Sequence, residues 1–277
     1  MYNEIIRLAF QEDLGDGDHS SLACVPAEAN GKATLIIKDH GILAGIEFAQ
    51  QIFAYHDSNL IVTVFLNDGT LVKPGDHAFT VSGSAQSILA CERLVLNFMQ
   101  RMSGIASQTH KLVDLIKDYP TKLLDTRKTT PGLRLLEKWA VRIGGGHNHR
   151  IGLYDMIMLK DNHVDFAGGI EAAIKRTHEY LTRKGKELKI EIEVRNEDEL
   201  QQVLNYGGVD RIMLDNFSPE RIKKAMEIIP KSYEVEASGG ITEESLLRYA
   251  QTGVDFISIG ALTHSFKSLD MSLKAQF

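Results

Sequence analysis

The rhythm of apolar and polar positions changes near residue 120. Up to about residue 112 the chain mixes two periods. The first ten residues repeat with helical spacing, and Ala33–Lys38, Leu60–Leu66 and His77–Ser82 then alternate as strands. Asn67-Asp68-Gly69 and Lys73-Pro74-Gly75 are the turn signals between them. From Ser87 to about Lys117 the pattern turns helical and mostly apolar, through Ile88, Leu89, Leu94, Val95, Leu96, Phe98 and Met99. Gly104 marks a break or a close-packing point, and Arg93 and Arg101 are the cations that such a helix does not need for its core.

Beyond residue 121, short apolar runs alternate with amphipathic stretches. The runs predict strands at Lys122–Asp125, Met156–Lys160, Ile190–Val194, Arg211–Leu214, Tyr233–Glu236 and Phe256–Ile259. The stretches predict helices at Leu133–Val141, Ile170–Leu181, Glu197–Tyr206, Pro219–Ile229 and Glu243–Ala250. Asn196, Ser218 before Pro219, and Thr242 before Glu243-Glu244 are starts of the kind that satisfy orphan N–H groups and the helix dipole. Alternating strand and helix implies a parallel sheet with right-handed crossovers. An eight-stranded barrel takes about 250 residues. Six βα units fit the span from Lys122 to His264, which leaves a doubly wound sheet or a short six-stranded barrel.

Composition adds class limits. With 277 residues, 43% hydrophobic and 25% charged, the chain can bury a core without staples. A net charge of -6 argues against a nucleic-acid binder carried by bulk positive charge. No apolar run approaches the ~20 residues of a membrane span. The N-terminus lacks a signal-peptide layout, so a cytoplasmic location is expected. Cys24 and Cys91 have neither CxxC nor zinc spacing and read as two buried, reduced thiols. The charge is uneven: residues 126–160 carry seven basic and two acidic side chains, so they are +5 and the remainder is -11. Some of that island, such as Arg134 and Lys138 at helical spacing, reads as a solvated helix face.

In parallel α/β folds ligands bind beyond the carboxyl ends of the strands. Those ends are Asp125-Thr126-Arg127-Lys128, Lys160-Asp161-Asn162-His163, Glu193 to Arg195, Asp215-Asn216, Ser238-Gly239-Gly240, and Gly260-Ala261 with His264 after it. Arginine forks suit carboxylates and phosphates, and lysine is a mobile point charge. Paired carboxylates such as Glu193 and Asp215 can hold a divalent metal, bond sugar hydroxyls or stabilise a developing cation. The two glycine loops precede helices and suit a phosphate. Together they predict a ligand with a phosphate, a polyhydroxylated part and further anionic groups, as in a phosphorylated sugar. A zinc set of His147, His149, His163 and Asp161 is disfavoured by the adjacent Arg150. No P-loop or GxGxxG pattern is present.

Asp125-Thr126-Arg127-Lys128-Thr129-Thr130-Pro131-Gly132-Leu133-Arg134, Gly144-Gly145-Gly146-His147-Asn148-His149-Arg150 and Leu159-Lys160-Asp161-Asn162-His163 together resemble the quinolinate phosphoribosyltransferases. Glu12-Asp13-Leu14-Gly15, Cys91-Glu92-Arg93, Ser103-Gly104-Ile105-Ala106, Leu214-Asp215-Asn216, Ala237-Ser238-Gly239-Gly240-Ile241 and Ile259-Gly260-Ala261-Leu262-Thr263 extend the likeness over nearly the whole chain. Leu94 and Trp139 depart from the family pattern and read as packing variation.

The resemblance implies an N-terminal α/β sandwich domain at 1–112, with the tail 266–277 packing back on it. It implies a six-stranded parallel α/β barrel, an incomplete TIM-like barrel, at 113–265. It implies transfer of phosphoribosyl from phosphoribosyl pyrophosphate to quinolinate with decarboxylation, with Mg2+ as cofactor. It also implies a homodimer in which Arg93 reaches the partner's site. Arg127, His149 and Arg150 would bind the quinolinate carboxylates, and Lys128 and Lys160 would serve the substrate and the pyrophosphate. Glu193 and Asp215 would contact ribose hydroxyls and magnesium. Ser238, Gly239, Gly240 and Gly260 would hold the 5-phosphate, with Thr126 in the site and His264 nearby. Counting back from Asp215 favours Glu193 over Glu191, and strand alternation is expected to turn only one of the two inward. Two rivals remain: a paralogous transferase of the molybdenum-transport-associated type acting on another base, and a non-catalytic metabolite-binding protein. A sugar-phosphate aldolase or isomerase barrel is a weaker third, disfavoured by the six-strand length.

Overall fold

The computed structural model describes residues 2–276. Met1 and Phe277, at the ends of the expected domain bounds, lie outside the described residues. In chain order the elements are α1 (Tyr2–Asp13), α2 (His19–Cys24), β1 (Asn30–Ile37), β2 (Gly41–Ile42), α3 (Ile46–His56), β3 (Ile61–Val64), β4 (Leu71–Val72), β5 (His77–Ser84) and α4 (Ala85–Leu115). They continue with β6 (Lys122–Leu124), α5 (Arg134–Ile143), β7 (Ile157–Leu159), α6 (Asp161–Ala167), α7 (Ile170–Lys184), β8 (Ile190–Val194), α8 (Glu197–Tyr206), β9 (Arg211–Asp215) and α9 (Pro219–Ile228). The last are β10 (Glu234–Ser238), α10 (Glu243–Ala250), β11 (Phe256–Ser258), α11 (Ala261–His264) and β12 (Met271–Gln276). No helix of the described residues is long and apolar enough to cross a membrane.

Two compact units result. The first comprises Met1–His110, Thr129–Gly145 and Leu262–Phe277. Its antiparallel sheet has the order β12-β1-β5-β3, and β2 pairs with β4. Leu35 of β1 stands opposite Leu273 of β12 on one side and Phe79 of β5 on the other. Phe79 meets Phe53 of α3 edge to face within the apolar core. α4 runs unbroken through Gly104. That glycine is a close approach rather than a break, because a Cβ there would collide with the Lys267 carbonyl.

Residues 129–145, expected with the barrel, cluster with this first unit. α5 is not a solvated face: Lys138 is 1% exposed, and Arg134 is half-buried and donates from Nε to Thr129 Oγ1 at 2.9 Å. Helical spacing cannot say which face is inward, and here the buried face of α5 includes charge. Its Glu137, also fully buried, accepts hydrogen bonds from Arg101 of α4 and from the Thr130 N–H. Arg101 therefore serves a buried carboxylate of its own unit. Of the departures from the family pattern, Leu94 is buried and Trp139 lies 5.4 Å from the Tyr2 ring.

The second unit comprises Lys111–Lys128 and Gly146–Ala261. Its six parallel strands have the order β6-β11-β10-β9-β8-β7. The order advances without reversal from β7 to β11, and the first strand, β6, lies next to the last. A doubly wound sheet reverses at a switch point, so this is the six-stranded barrel. It is incomplete: β6 and β7 share no ladder among the described residues, and β6 is bridged instead at Leu124 by His147. The crossover helices start where capping chemistry placed them. The Asn196 side chain accepts from the Glu199 N–H, Ser218 accepts from the Arg221 N–H ahead of Pro219, and Thr242 forms a capping box with Ser245.

The thiols are unlike each other. Cys91 is buried, but Cys24, at the end of the short α2, is exposed, contrary to the expectation of two buried thiols. α2 buries Ser21, and Cys24 falls at its exposed end.

Candidate active site

The loop after α5 is laid along the end of β6. The His147 N–H donates to the Leu123 carbonyl at 2.8 Å, and the Asp125 N–H donates to the His147 carbonyl at 3.1 Å. The Asp125 carboxylate is fully buried and accepts from the His149 N–H at 2.9 Å and from Asn148 Nδ2 at 2.6 Å. A buried carboxylate persists only when so bonded. This clasp brings two arginines together that lie 23 positions apart in sequence, Arg127 two residues past Asp125 and Arg150 one past His149.

Burial, and then the nearby Arg127 cation, hold the Arg150 guanidinium below its ordinary pKa. Two like charges held near one another, Arg150 half-buried and Arg127 exposed, favour an anion between them. Arg150 Nη1 also donates to the Met156 carbonyl at 3.2 Å, which fixes the fork. Lys128 stands exposed next to Arg127, and its N–H donates to Thr126 Oγ1 at 3.0 Å.

Three neighbouring strand ends carry the second group. Lys160, just past β7, places Nζ 2.6 Å from Glu193 Oε2 on β8. Asp215 ends β9, and burial followed by the Glu193 charge raises its carboxyl above the usual range. Asn216 Nδ2 donates to Asp215 Oδ2 at 2.6 Å. On the adjoining β10 the chain passes from Ser238 into Gly239 and Gly240, both with positive φ, before α10 begins. Gly260 stands just before the four-residue α11.

Twelve of the residues named from sequence thus lie in the barrel unit: Thr126, Arg127, Lys128, His149, Arg150, Lys160, Glu193, Asp215, Ser238, Gly239, Gly240 and Gly260. Arg93, exposed on α4, and His264, exposed at the end of α11 with Nδ1 2.7 Å from Ser265 Oγ, belong to the other unit.

Glu191 and Glu193 both turn into the barrel, so the expectation that only one would do so was wrong. Residues two apart on a strand share a face; neighbours alternate. Glu193 reaches Lys160 at the rim, and Glu191 meets a deeper cluster. There His149 Nε2 lies 2.9 Å from Glu191 Oε2 and 3.4 Å from Glu236 Oε2. Arg211 Nη1 lies 3.2 Å from Glu236 Oε2 and 3.9 Å from Glu191 Oε2, and its other nitrogens bond Glu234.

Burial and the Glu236 charge push Glu191 up. For Glu236 burial works the same way but is outweighed by the His149 hydrogen bond, and its carboxyl is lowered. Burial disfavours a charged His149 ring, yet the Glu191 and Glu236 carboxylates overcome it and raise its pKa to about 9. The Arg150 N–H at 2.6 Å from Nδ1 pulls toward the neutral ring. Two whole buried charges outweigh one peptide dipole, and the carboxylates set the direction.

His149, expected to bind a quinolinate carboxylate, instead turns Nε2 into the barrel interior and accepts the Arg150 N–H at Nδ1, so it anchors the clasp. The atoms of His149, Glu191 and Glu236 converge within 4.8 Å, the spacing of a metal site, but the Arg211 cation already supplies the counter-charge. The zinc set considered from sequence does not assemble: His147 is exposed and bridges β6 through its main chain, and His163 Nδ1 accepts the Lys160 N–H. Arg211 and Glu236 were missed in the sequence. Their signal was period two, since Arg211 and Asp215 flank Met213 on one face of β9, and Glu236 stands two before Ser238 on β10.

Comparison with known proteins covers nearly the whole chain. Residues 18–103 match the model of the quinolinate phosphoribosyl transferase N-terminal domain, and residues 105–274 match its C-terminal domain. A Nicotiana tabacum protein named quinolinate phosphoribosyltransferase [decarboxylating] 2b, mitochondrial, is 45% identical over 98% of this chain and 81% of its own. A Bacillus subtilis protein named probable nicotinate-nucleotide pyrophosphorylase [carboxylating] is 43% identical over 95% of this chain and 90% of its own. The crystal structure of NadC from Streptococcus pyogenes superposes with a TM-score of 0.93 at 39% identity, covering 98% of this chain and 95% of that one.

Proposed function

The chain belongs to the quinolinate phosphoribosyltransferase family, and from that premise we propose how the rim of its barrel carries the reaction. The enzyme transfers phosphoribosyl from phosphoribosyl pyrophosphate to quinolinate with decarboxylation, giving nicotinate mononucleotide, pyrophosphate and CO2 in de novo NAD biosynthesis. The observation that carries the residue assignment is the convergence of Arg127 and Arg150 through the Asp125 clasp. A pyridine dicarboxylate brings two anions on one rigid ring, and two guanidinium forks answer them.

Arg127 and Arg150 hold the two carboxylates, with Lys128 alongside, and His149 locks the loop that presents Arg150. Thr126 braces Lys128. The glycines at 239, 240 and 260, with Ser238, offer N–H groups to the 5-phosphate. Glu193 and Asp215 meet the ribose hydroxyls, and Lys160 faces the leaving pyrophosphate. So held, the pyridine nitrogen attacks C1 of the ribose as the C1–O bond to pyrophosphate breaks. Positioning and electrostatics supply the rate. The ring nitrogen becomes cationic, the bond from C2 to its carboxylate breaks as CO2 leaves, and the electron pair left on C2 takes a proton.

The Glu193 and Asp215 pair also fits Mg2+. Both are hard oxygen donors, and burial first and the Glu193 charge second raise the Asp215 carboxyl, a combination that a bound cation would relieve. When bound, the ion supplies positive charge toward the pyrophosphate. We further propose a homodimer in which the partner's copy of the exposed Arg93 completes each site, with His264 near the 5-phosphate. A cytoplasmic setting accords with two unpaired thiols.

The test is a turnover assay with phosphoribosyl pyrophosphate, Mg2+ and either quinolinate or nicotinate, on the natural chain and on Arg127→Ala. Mononucleotide and CO2 should form from quinolinate only. Arg127→Ala should abolish this while leaving the fold intact. Unchanged turnover in the variant defeats the residue assignment. Product from nicotinate instead assigns a different base.

A further inference from the structure

Asn216 is the one residue other than glycine with positive φ among the described residues (φ 56). Glycine takes this conformation without steric cost, and asparagine is among the few side chains that tolerate it. A side chain kept at such a position has to offset its cost through what it touches. Here it touches two parts of the rim at once. Its Nδ2 donates to Asp215 Oδ2 at 2.6 Å, and its main-chain N–H donates to the Ser238 carbonyl at 2.8 Å. The next residue on that side, Gly239 (φ 98), leaves the space Asn216 occupies: a Cβ there would lie 2.7 Å from Asn216 Cγ and 2.9 Å from Asn216 N.

Asn216 therefore joins the carboxylate at the end of β9 to the glycine loop at the end of β10. The donor is also of a particular kind. Asp215 is half-buried with the Glu193 charge nearby. A neutral amide satisfies one of its oxygens and fixes its rotamer without neutralising it, so the carboxylate keeps its charge for a ligand. Lysine would not do this.

We infer that Asn216 is a positioning residue for phosphoribosyl pyrophosphate, holding the Asp215 carboxylate and the Ser238-Gly239-Gly240 loop in one register across the gap between β9 and β10. This rests on the assignment of those two groups to the phosphoribosyl donor made above. The quinolinate carboxylates are assigned to the Arg127 and Arg150 side of the rim, so loss of the amide should act on one substrate and spare the other.

Asn216→Gly is the direct test, because glycine keeps the positive φ and the N–H to Ser238 while deleting the amide. Its KM for phosphoribosyl pyrophosphate should rise about tenfold or more, the loss of one hydrogen bond to a charged group. Its KM for quinolinate should stay within about twofold, and its melting temperature should match or exceed that of the natural chain, since the strained φ is relieved. An unchanged KM for the donor, or an equal rise for both substrates, overturns the inference. If Asn216→Gly melts well below the natural chain, Asn216→Asp is read instead. It keeps the size and the tolerance of positive φ but sets a second carboxylate against Asp215, so the donor KM should rise further, and an unchanged value is again a refutation. Asp215→Asn separates the two levels. If it leaves the donor KM unchanged, the assignment of Asp215 fails. If it raises that KM while Asn216→Gly does not, only the inference about Asn216 fails.

Discussion

Replacing Arg211 with methionine should cost the barrel several kcal/mol. The side chain is 10% exposed and lies 3.2 Å from Glu236 and 3.9 Å from Glu191, both fully buried. Its guanidinium also stacks on the Phe256 ring at 4.1 Å. At an effective dielectric of about 20, those two distances give gross attractions of about 5 and about 4 kcal/mol. Most of that is cancelled by the cost of dehydrating the guanidinium. Removing one member of a buried ion network leaves the others uncompensated, for a net loss of about 3–5 kcal/mol.

In a chain of this size that is a fall of about 6–20 °C in melting temperature, followed by calorimetry or by circular dichroism. Adding Glu236→Gln removes one of the stranded charges and should restore about 1–3 kcal/mol. The deficit should also narrow with acid. Without Arg211 the stranded carboxyls have folded-state pKa values raised above their unfolded ones, and the penalty disappears as pH falls through the raised values. In the natural chain the lowered Glu236 carboxyl contributes stability that is lost as pH falls. The first effect shrinks the difference between about pH 8 and about pH 5, and the second adds to it only below the ordinary Glu pKa of about 4.3. A melting temperature for Arg211→Met within about 2 °C of the natural chain would show that the cluster is not a coupled charge network, and the argument would fail.

Gly239→Ala should destabilise by about 1–3 kcal/mol in denaturant titration, whereas Gly240→Ala should cost about 1, because only Gly239 lacks room for a Cβ as well as having positive φ. In native protein near pH 8, a thiol reagent should label Cys24 at once and spare Cys91 until unfolding, since burial and then Asp57 push the Cys91 thiol up to about 12. Mixing inactive Arg93→Ala and Lys160→Ala subunits should regain part of the activity once exchange is verified, because about half of the sites in hybrid dimers, and about a quarter of all sites at equal mixing, would hold both residues, and no recovery would count against a site shared between subunits.

Much of this protein is legible in its sequence wherever a local rule acts alone. Apolar periodicity and the capping residues Asn196, Ser218 and Thr242 place α5, four helices of the barrel unit and the six barrel strands to within three residues, since caps and alternation are satisfied inside a few neighbouring positions. The chemistry at the strand ends is legible for the same reason: a parallel barrel exposes those ends whatever the tertiary detail. The sequence leaves open whether six βα units close or wind doubly, because the deciding quantity is the neighbour of β6, and that is β11, more than a hundred residues away.

Burial is decided the same way. Arg134 and Lys138 look like a wet helix face until α4 and the 129–145 segment come together, and a charged side chain carries no local mark of what will cover it. Arg211, Glu191 and Glu236 meet His149 only when four segments close around one axis, so their partnership is a property of the closed barrel. The sequence determines which residues can carry the charge of two anionic substrates. Tertiary structure alone decides which of those charges face a ligand and which neutralise one another inside, because an ion pair depends on a distance of a few ångströms that no spacing along the chain controls.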